Sequence, residues 1–390
     1  NISLKGKQGV IIFIDGRPSY LSGPDLANML RNMTAAQLDQ IEIMTNPPAK
    51  YDAAGNSGVI NIKTKKNKQF GYNGSITAGY TQGIYARFNE SLSFNYRNNK
   101  INFFSNISHN RHHKAEKLYI LRNFREATTK DIKSIFDQET SMENQSHYYY
   151  AKAGLDYSVS KKTTVGIVLN GYYNPSTWES VTNTSIYNPD QILTNKTKAV
   201  TRNDEKWKNF SGNFNFRTVL DSAGQELTAD FDYIQYRSSS EQPLTSYYFD
   251  NMNNQIREPE LLFGTLPSNI HIYSGKIDYA LPLKHGAKFE AGLKSSFVKT
   301  DNNARYDSLK TGYSVLDSGR SNHFMYDENI NAAYVNYSRP LGKKWSAQLG
   351  LRLENTNANG NSAGYTFNSQ ENRFKSTNTK FSRNYTQLFP

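Results

Sequence analysis

The feature that most constrains this chain is an alternation of period two that begins near Phe70 and runs to its last residues. Trp345, Ala347, Leu349, Leu351 and Leu353 alternate with Ser346, Gln348, Gly350, Arg352 and Glu354. Leu227, Ala229, Phe231 and Tyr233 alternate with Thr228, Asp230 and Asp232. Phe289, Ala291, Leu293 and Phe297 alternate with Glu290, Gly292, Lys294 and Ser296, and Tyr72, Ile76 and Tyr80 open the series. Successive side chains of a strand point to opposite faces, so each stretch reads as a strand with one greasy and one polar side.

Turn signals divide these strands into hairpins. Short polar turns fall at Asn98-Asn99-Lys100, Ser160-Lys161-Lys162, Asp221-Ser222-Ala223-Gly224, Lys284-His285-Gly286 and Gly342-Lys343-Lys344, roughly 60 residues apart. Between them lie long polar segments such as Leu121–Asn144, Asn174–Asn203 and Ser238–Asn269, read here as loops. Short turns on one side and long loops on the other are the layout of an outer-membrane β-barrel. About twelve strands are expected between Phe70 and Pro390. Tyr148-Tyr149-Tyr150, Tyr172-Tyr173 and Tyr247-Tyr248-Phe249 suit either interfacial girdles or strand faces above the membrane. A soluble sandwich or propeller fits less well, because no blade motif recurs about every 40 residues.

Composition agrees with a wall facing lipid. Aromatics are 13% of the 390 residues, with 27 Tyr and 21 Phe, yet mean hydropathy is −0.73. A compact soluble core would draw mainly on Leu, Ile and Val; a membrane barrel needs apolar residues only at every second position. No stretch approaches the roughly 18 apolar residues of a membrane helix. The absence of cysteine excludes disulfides, thiol catalysis and cysteine-bound metal. The +12 formal charge is spread along the chain rather than massed, so no nucleic-acid partner is expected.

The first 66 residues read differently. Gly9–Gly16 is an apolar run closed by Asp15-Gly16; Pro24 and Asp25 open a helix with Leu26, Met29, Leu30 and Met33 on one face; Thr34 caps a further helical turn. Ile41-Glu42-Ile43-Met44 is a strand, Pro47 and Pro48 force a loop, and Val59–Lys63 is another strand. Alone, this segment also suits an unrelated small α/β domain.

Three pieces of it carry a family resemblance: IDGRP at Ile14–Pro18, QIEIMTNPPAKYDAAGNSGVINIKTKK at Gln40–Lys66, and the Leu- and Met-bearing helix between them. Together they resemble the C-terminal part of the plug domain of TonB-dependent outer-membrane receptors, in the version of the outer-membrane β-barrel family of Bacteroidetes type. The resemblance implies a mainly β fold: a small α/β plug segment at 1–66, then the N-terminal portion of a transmembrane antiparallel barrel at 67–390. Such receptors usually close 22 strands. Neither a TonB box nor the first half of a plug is present, and Leu388-Phe389-Pro390 resembles a strand end within the barrel, so an internal fragment is expected. Asp15, Gly16, Pro47, Tyr51, Gly55, Gly58 and Asn61 carry the motif and are expected to hold plug geometry.

The expected function is nutrient uptake (siderophore, glycan or peptide class) through a plugged barrel in the bacterial outer membrane. The expected partners are outer-membrane lipid, a TonB-type energy-coupling protein acting through an upstream segment, and an unidentified small-molecule or oligomer substrate. The alternative is a non-transporting barrel serving as surface adhesin or assembly component; a soluble carbohydrate-binding β-protein is a third class. No enzyme, cofactor or metal is expected. His109, His112 and His113 read as exposed loop histidines, Asp230 and Asp232 as lumen-solvating carboxylates, and Thr300-Asp301-Asn302-Asn303 lacks the distal Glu of a calcium loop. Trp178, Tyr187, Tyr247 and Tyr248 are candidates for stacking on a ligand.

Overall fold

The computed structural model describes residues 3, 4, 10–14, 16–19, 30, 38–45, 47–51, 58–64, 70–310, 312–342 and 344–389. Two sheets account for nearly all of them. The smaller comprises β1 (Ile11–Ile14), β2 (Arg17–Pro18), β3 (Leu38–Met44) and β4 (Val59–Thr64), in spatial order β2-β1-β4-β3. Strands β1 and β4 run parallel, with Phe13 opposite Asn61, and β3 runs antiparallel to β4, with Glu42 opposite Asn61. A strand covered on both faces reads as a continuous apolar run, and β1, with adjacent Ile12 and Phe13 both buried, does. Its Ile12 packs on Ile62, with Val10, Leu30, Leu38 and Ile60 around them. The expected helix at 24–33, apart from Leu30, and the Thr34 turn lie outside the described residues.

The larger sheet is the wall. Its strands are β5 (Gly71–Gln82), β6 (Ala86–Arg97), β7 (Ile101–Arg125), β8 (Ile132–Ser158), β9 (Thr163–Tyr187), β10 (Leu193–Val219), β11 (Glu226–Asp250), β12 (Glu260–Thr265), β13 (Ser268–Pro282), β14 (Lys288–Lys310), β15 (Tyr313–Leu316), β16 (Asn322–Pro340), β17 (Ser346–Asn368) and β18 (Arg373–Phe389). All pair antiparallel. Strands β12 and β13 share one lane between β11 and β14, interrupted at Pro267, which has no N–H for the ladder. Short β15 pairs only with the end of β14. Fourteen strands therefore fill twelve lanes, with β5 and β18 at the margins.

The wall is inside-out relative to a soluble protein. Ile76, Leu293 and Leu349 are 83%, 61% and 74% exposed, whereas Arg352, Asn336 and Ser296 on the other face are 1%, 3% and 5% exposed. Ala229, Ile277, Leu293, Ala333 and Leu353 meet in one outward row across five lanes, because cross-strand partners share a face. This apolar outward face, ordinary in lipid, leaves the polar face to line a lumen.

One expectation is corrected. The polar segments read as loops are strands: β7 to β11 have 25 to 27 residues each, and only short connections such as 126–131 and 188–192 separate them. At about 3.3 Å per residue such strands reach about 80–90 Å, far beyond an apolar band about 25 Å tall. Past that band both faces are polar, so the alternation that marks a strand in sequence fades while the backbone ladder continues.

Candidate functional site

Where the small sheet meets the lumen face of the wall, a set of polar groups converges. Its anchor within the small sheet is Asn61, only 3% exposed at the centre of β4. The Gly16 N–H donates to Asn61 Oδ1 at 3.0 Å, closing the turn after β1, and Asn61 Nδ2 donates to Glu42 Oε2 at 2.8 Å on β3. Glu42 also pairs with Lys63. That hydrogen bond, with the help of Asn61, holds the Glu42 carboxyl below the usual carboxylate range. One amide thus ties three strands together.

The Pro48–Tyr51 turn is closed by a hydrogen bond from the Tyr51 N–H to the Pro48 carbonyl at 3.0 Å. The Tyr51 ring meets Phe13 edge-on at 5.0 Å, and burial pushes its hydroxyl pKa up. Gly58, at φ +113°, begins β4 where any Cβ would lie 2.5 Å from the Met44 carbonyl oxygen. Only glycine fits there. Gly16, Pro47, Tyr51, Gly58 and Asn61 therefore lie in or beside this small sheet; Asp15 and Gly55 are outside the described residues.

Two regions of the small sheet touch the wall. On one, the buried Tyr236 hydroxyl of β11 donates to the Ser19 carbonyl at 2.8 Å. On the other, the turn bearing Ala49 and Lys50 faces β14 and β17. Arg352 Nη1 approaches the Ala49 carbonyl at 3.5 Å while its Nε donates to Glu354 Oε2 at 2.9 Å. Lys50 Nζ lies 4.0 Å from Glu290 Oε1, and Glu290 is further held by Lys288 at 2.7 Å and Asn336 Nδ2 at 3.0 Å. A Cβ on Gly350 would come 2.9 Å from the Ala49 Cβ, so glycine lets the turn approach the wall. Among the described residues these contacts are polar, and those at the Ala49–Lys50 end are long. Each neutral hydrogen bond contributes about 1 kcal/mol net, which suits a seat that holds a segment without fusing it to the wall. Sequence reading did not single out Tyr236, Glu290 or Arg352. The signal was present in β17, where Arg352 and Glu354 occupy the polar phase of an apolar strand.

The remaining sequence candidates do not assemble. Trp178 and Tyr248 lie on the lumen phase of β9 and β11, and Tyr187 and Tyr247 on the outward phase. Tyr248 is engaged with Glu260 at 2.8 Å and lies under the Arg257 guanidinium at 3.3 Å. Asp230 and Asp232 occupy the lumen face and accept from Asn213 Nδ2 at 3.4 and 2.8 Å. The histidines are strand residues, a second correction: His109 bonds Glu90 at 2.8 Å and His147 at 3.1 Å, and His113 bonds Glu143 at 2.7 Å. No group of three His, Asp or Glu side chains that could hold a metal ion occurs among the described residues, and no helix among them is long and apolar enough to cross a membrane.

Residues 218–390 match the family described as "Outer membrane protein beta-barrel family". No curated protein sequence matches the chain. Among solved structures it is similar to a mutant of the ferric enterobactin receptor PfeA of Pseudomonas aeruginosa (8% identity, 98% of this chain and 90% of that one, TM-score 0.32). It is also similar to the siderophore receptor PirA of the same organism (12%, 98% and 83%, TM-score 0.29) and to the RagAB peptide importer (9%, 99% and 68%, TM-score 0.34). The wall from the end of β10 onward is thus similar to that family, and the chain's place is the bacterial outer membrane.

Proposed function

We propose that this outer-membrane barrel protein is a plugged transporter of the TonB-dependent-receptor type, with residues 1–66 as the plug's C-terminal part and 67–390 as barrel wall. The observation that carries this reading is the seating of the small sheet on the polar lumen face, through Tyr236, Arg352 and Glu290. A segment lodged there obstructs the pore, and its loose polar seat allows a pull to move it aside. The partner that pulls is an energy-coupling protein of TonB type, and the cargo is a nutrient of the siderophore, glycan or peptide class. Arg352 and Glu354 bind each other in a nearly dry position. With the turn unseated, Arg352 keeps Glu354 and Glu290 keeps Lys288 as ion-pair partners.

A second reading, a surface adhesin or assembly component without transport, draws support from hairpins β7–β8 and β9–β10, whose strands far outrun the apolar band. The deciding experiment is uptake of labelled siderophore, oligosaccharide and peptide pools by cells carrying or lacking the full-length protein, with and without a protonophore. Uptake that needs both the protein and the energised membrane supports transport. Energy-independent entry contradicts energy coupling of TonB type, and no uptake alongside retained cell attachment supports the second reading.

A further inference from the structure

Just beyond the apolar band, on the outward face, β10, β11, β13 and β14 carry a row of aromatic residues topped by a basic cluster. Phe210, Tyr233, Tyr273 and Phe297 form the row, with neighbouring Tyr173 on β9. One to two rungs further out stand Lys206, Lys208, Arg237 and Lys299, all exposed. Lys208 and Arg237 are direct cross-strand partners, and Arg237 is opposite Asn269, which is opposite Asp301. Partners in an antiparallel pair hold their Cβ atoms about 5 Å apart, where like charges destabilise each other.

Among the described residues, Lys299 alone of the four stands opposite an acid, Asp327. Lys206, Arg237 and Lys299 have no carboxylate ion-pair partner among the described residues. Lys208 lies over the Tyr173 ring at 5.4 Å. Of the nearby acids, Asp301 is engaged with His323 at 2.7 Å, Asp204 with Thr177 at 2.7 Å and Arg202 at 3.5 Å, and Asp327 is the cross-strand partner of Lys299. The wall is also recessed here. At the Pro267 interruption a hollow of about 450 Å³ opens among Lys206, Lys208, Arg237, Asn269, Asp301 and His323.

We propose that this recess is a binding site for the phosphorylated headgroup of an outer-leaflet glycolipid. The position selects the source. The cluster lies on the side of the long hairpins, which in such barrels is the cell exterior, and on the face that meets lipid. Acyl chains would lie along Phe231, Ile277 and Leu293 below it, the aromatic row marks the interface, and the headgroup phosphates would reach the basic side chains. Lys and Arg beside a membrane surface draw anionic headgroups in this way, and guanidinium offers a bidentate fork to phosphate. The inference rests on the barrel's place in the outer membrane and is independent of whether it transports.

The test is titration of the detergent-purified full-length protein with bisphosphorylated lipid A, with the same lipid stripped of phosphate, and with inorganic phosphate. The K206Q/K208Q/R237Q variant is predicted to bind the phosphorylated lipid on the order of a hundredfold more weakly, at about fivefold per charge. The stripped lipid should bind the unaltered protein no better than the phosphorylated lipid binds the variant, and inorganic phosphate should compete poorly. Lys208→Gln and Arg237→Gln singly, each predicted to weaken binding about fivefold, keep the question open to test should the triple variant fail to fold. Unchanged affinity in the variants, or equal binding of the stripped lipid, overturns the proposal. Inorganic phosphate competing as well as the lipid overturns the assignment to a lipid headgroup.

Discussion

Gly16 donates its backbone N–H to the side-chain oxygen of Asn61 across 3.0 Å, although the two are 45 residues apart. The same amide donates onward to Glu42, so β1, β3 and β4 hang together on one buried side chain. Asn61→Ala removes two hydrogen bonds made by a buried amide and leaves the Gly16 N–H and the Glu42 carboxylate each short of a partner. It is predicted to destabilise the small sheet by about 1–3 kcal/mol, read as faster cleavage at 38–64 in limited proteolysis while the wall stays intact.

Gly58→Ala is predicted to be worse than its one methyl group indicates. It adds a Cβ 2.5 Å from the Met44 carbonyl at a φ of +113°, a combination of clash and backbone strain costing about 1–3 kcal/mol or more. Gly350→Ala is its counterpart across the interface: with Ala49 at 2.9 Å, it should loosen the seat of the turn and leave the small sheet's own stability unchanged. Hydrogen exchange resolved by segment separates the two outcomes.

The orientation of the wall predicts an asymmetry along one strand. Ile277 faces lipid and Ser274 faces the lumen, opposite Asp232. Ile277→Arg should cost about 2–4 kcal/mol near the membrane midplane, whereas Ser274→Arg gains an acidic neighbour and should be nearly neutral. The check is urea unfolding in lipid vesicles, followed by the loss of heat-modifiable gel mobility. Equal costs would show that the two faces have been assigned wrongly.

Acid should loosen the small sheet before the wall. The Lys63 hydrogen bond and Asn61 hold the folded Glu42 below its ordinary value of 4.5. A depressed carboxylate contributes stability that is present above the unfolded value and is lost as pH falls through the folded one. Exchange protection in β3 and β4 is therefore predicted to decline from about pH 4.5 downward, and Glu42→Gln should flatten that profile and lower protection at neutral pH.

Much of this fold was legible in the residues. Alternation such as Leu349, Leu351 and Leu353 against Gly350, Arg352 and Glu354 exposes both the strand and its two environments, because one face must meet lipid. The twelve lanes and the short turns follow from the same pattern. Beyond the band the reading failed: at Leu121–Asn144 neither face has to be apolar, so paired strands look like loops. Contacts such as Tyr236 with Ser19 were out of reach for a different reason. They join residues 217 apart, and nothing local in either stretch encodes that meeting. The recess at Lys206, Lys208 and Arg237 likewise exists only once β10 and β11 are in register.

Transport of the proposed kind requires the small sheet to move off the wall. The chain contains no cysteine, so Ala49→Cys with Gly350→Cys introduces a single possible cross-link. The Cβ positions, 2.9 Å apart, need to open by about an ångström to reach disulfide geometry. Energy-dependent uptake by cells expressing the full-length double variant is the measurement. The predicted result is uptake abolished under oxidation and restored by reductant, with both single variants active. Undiminished uptake with the cross-link fully formed would contradict the account.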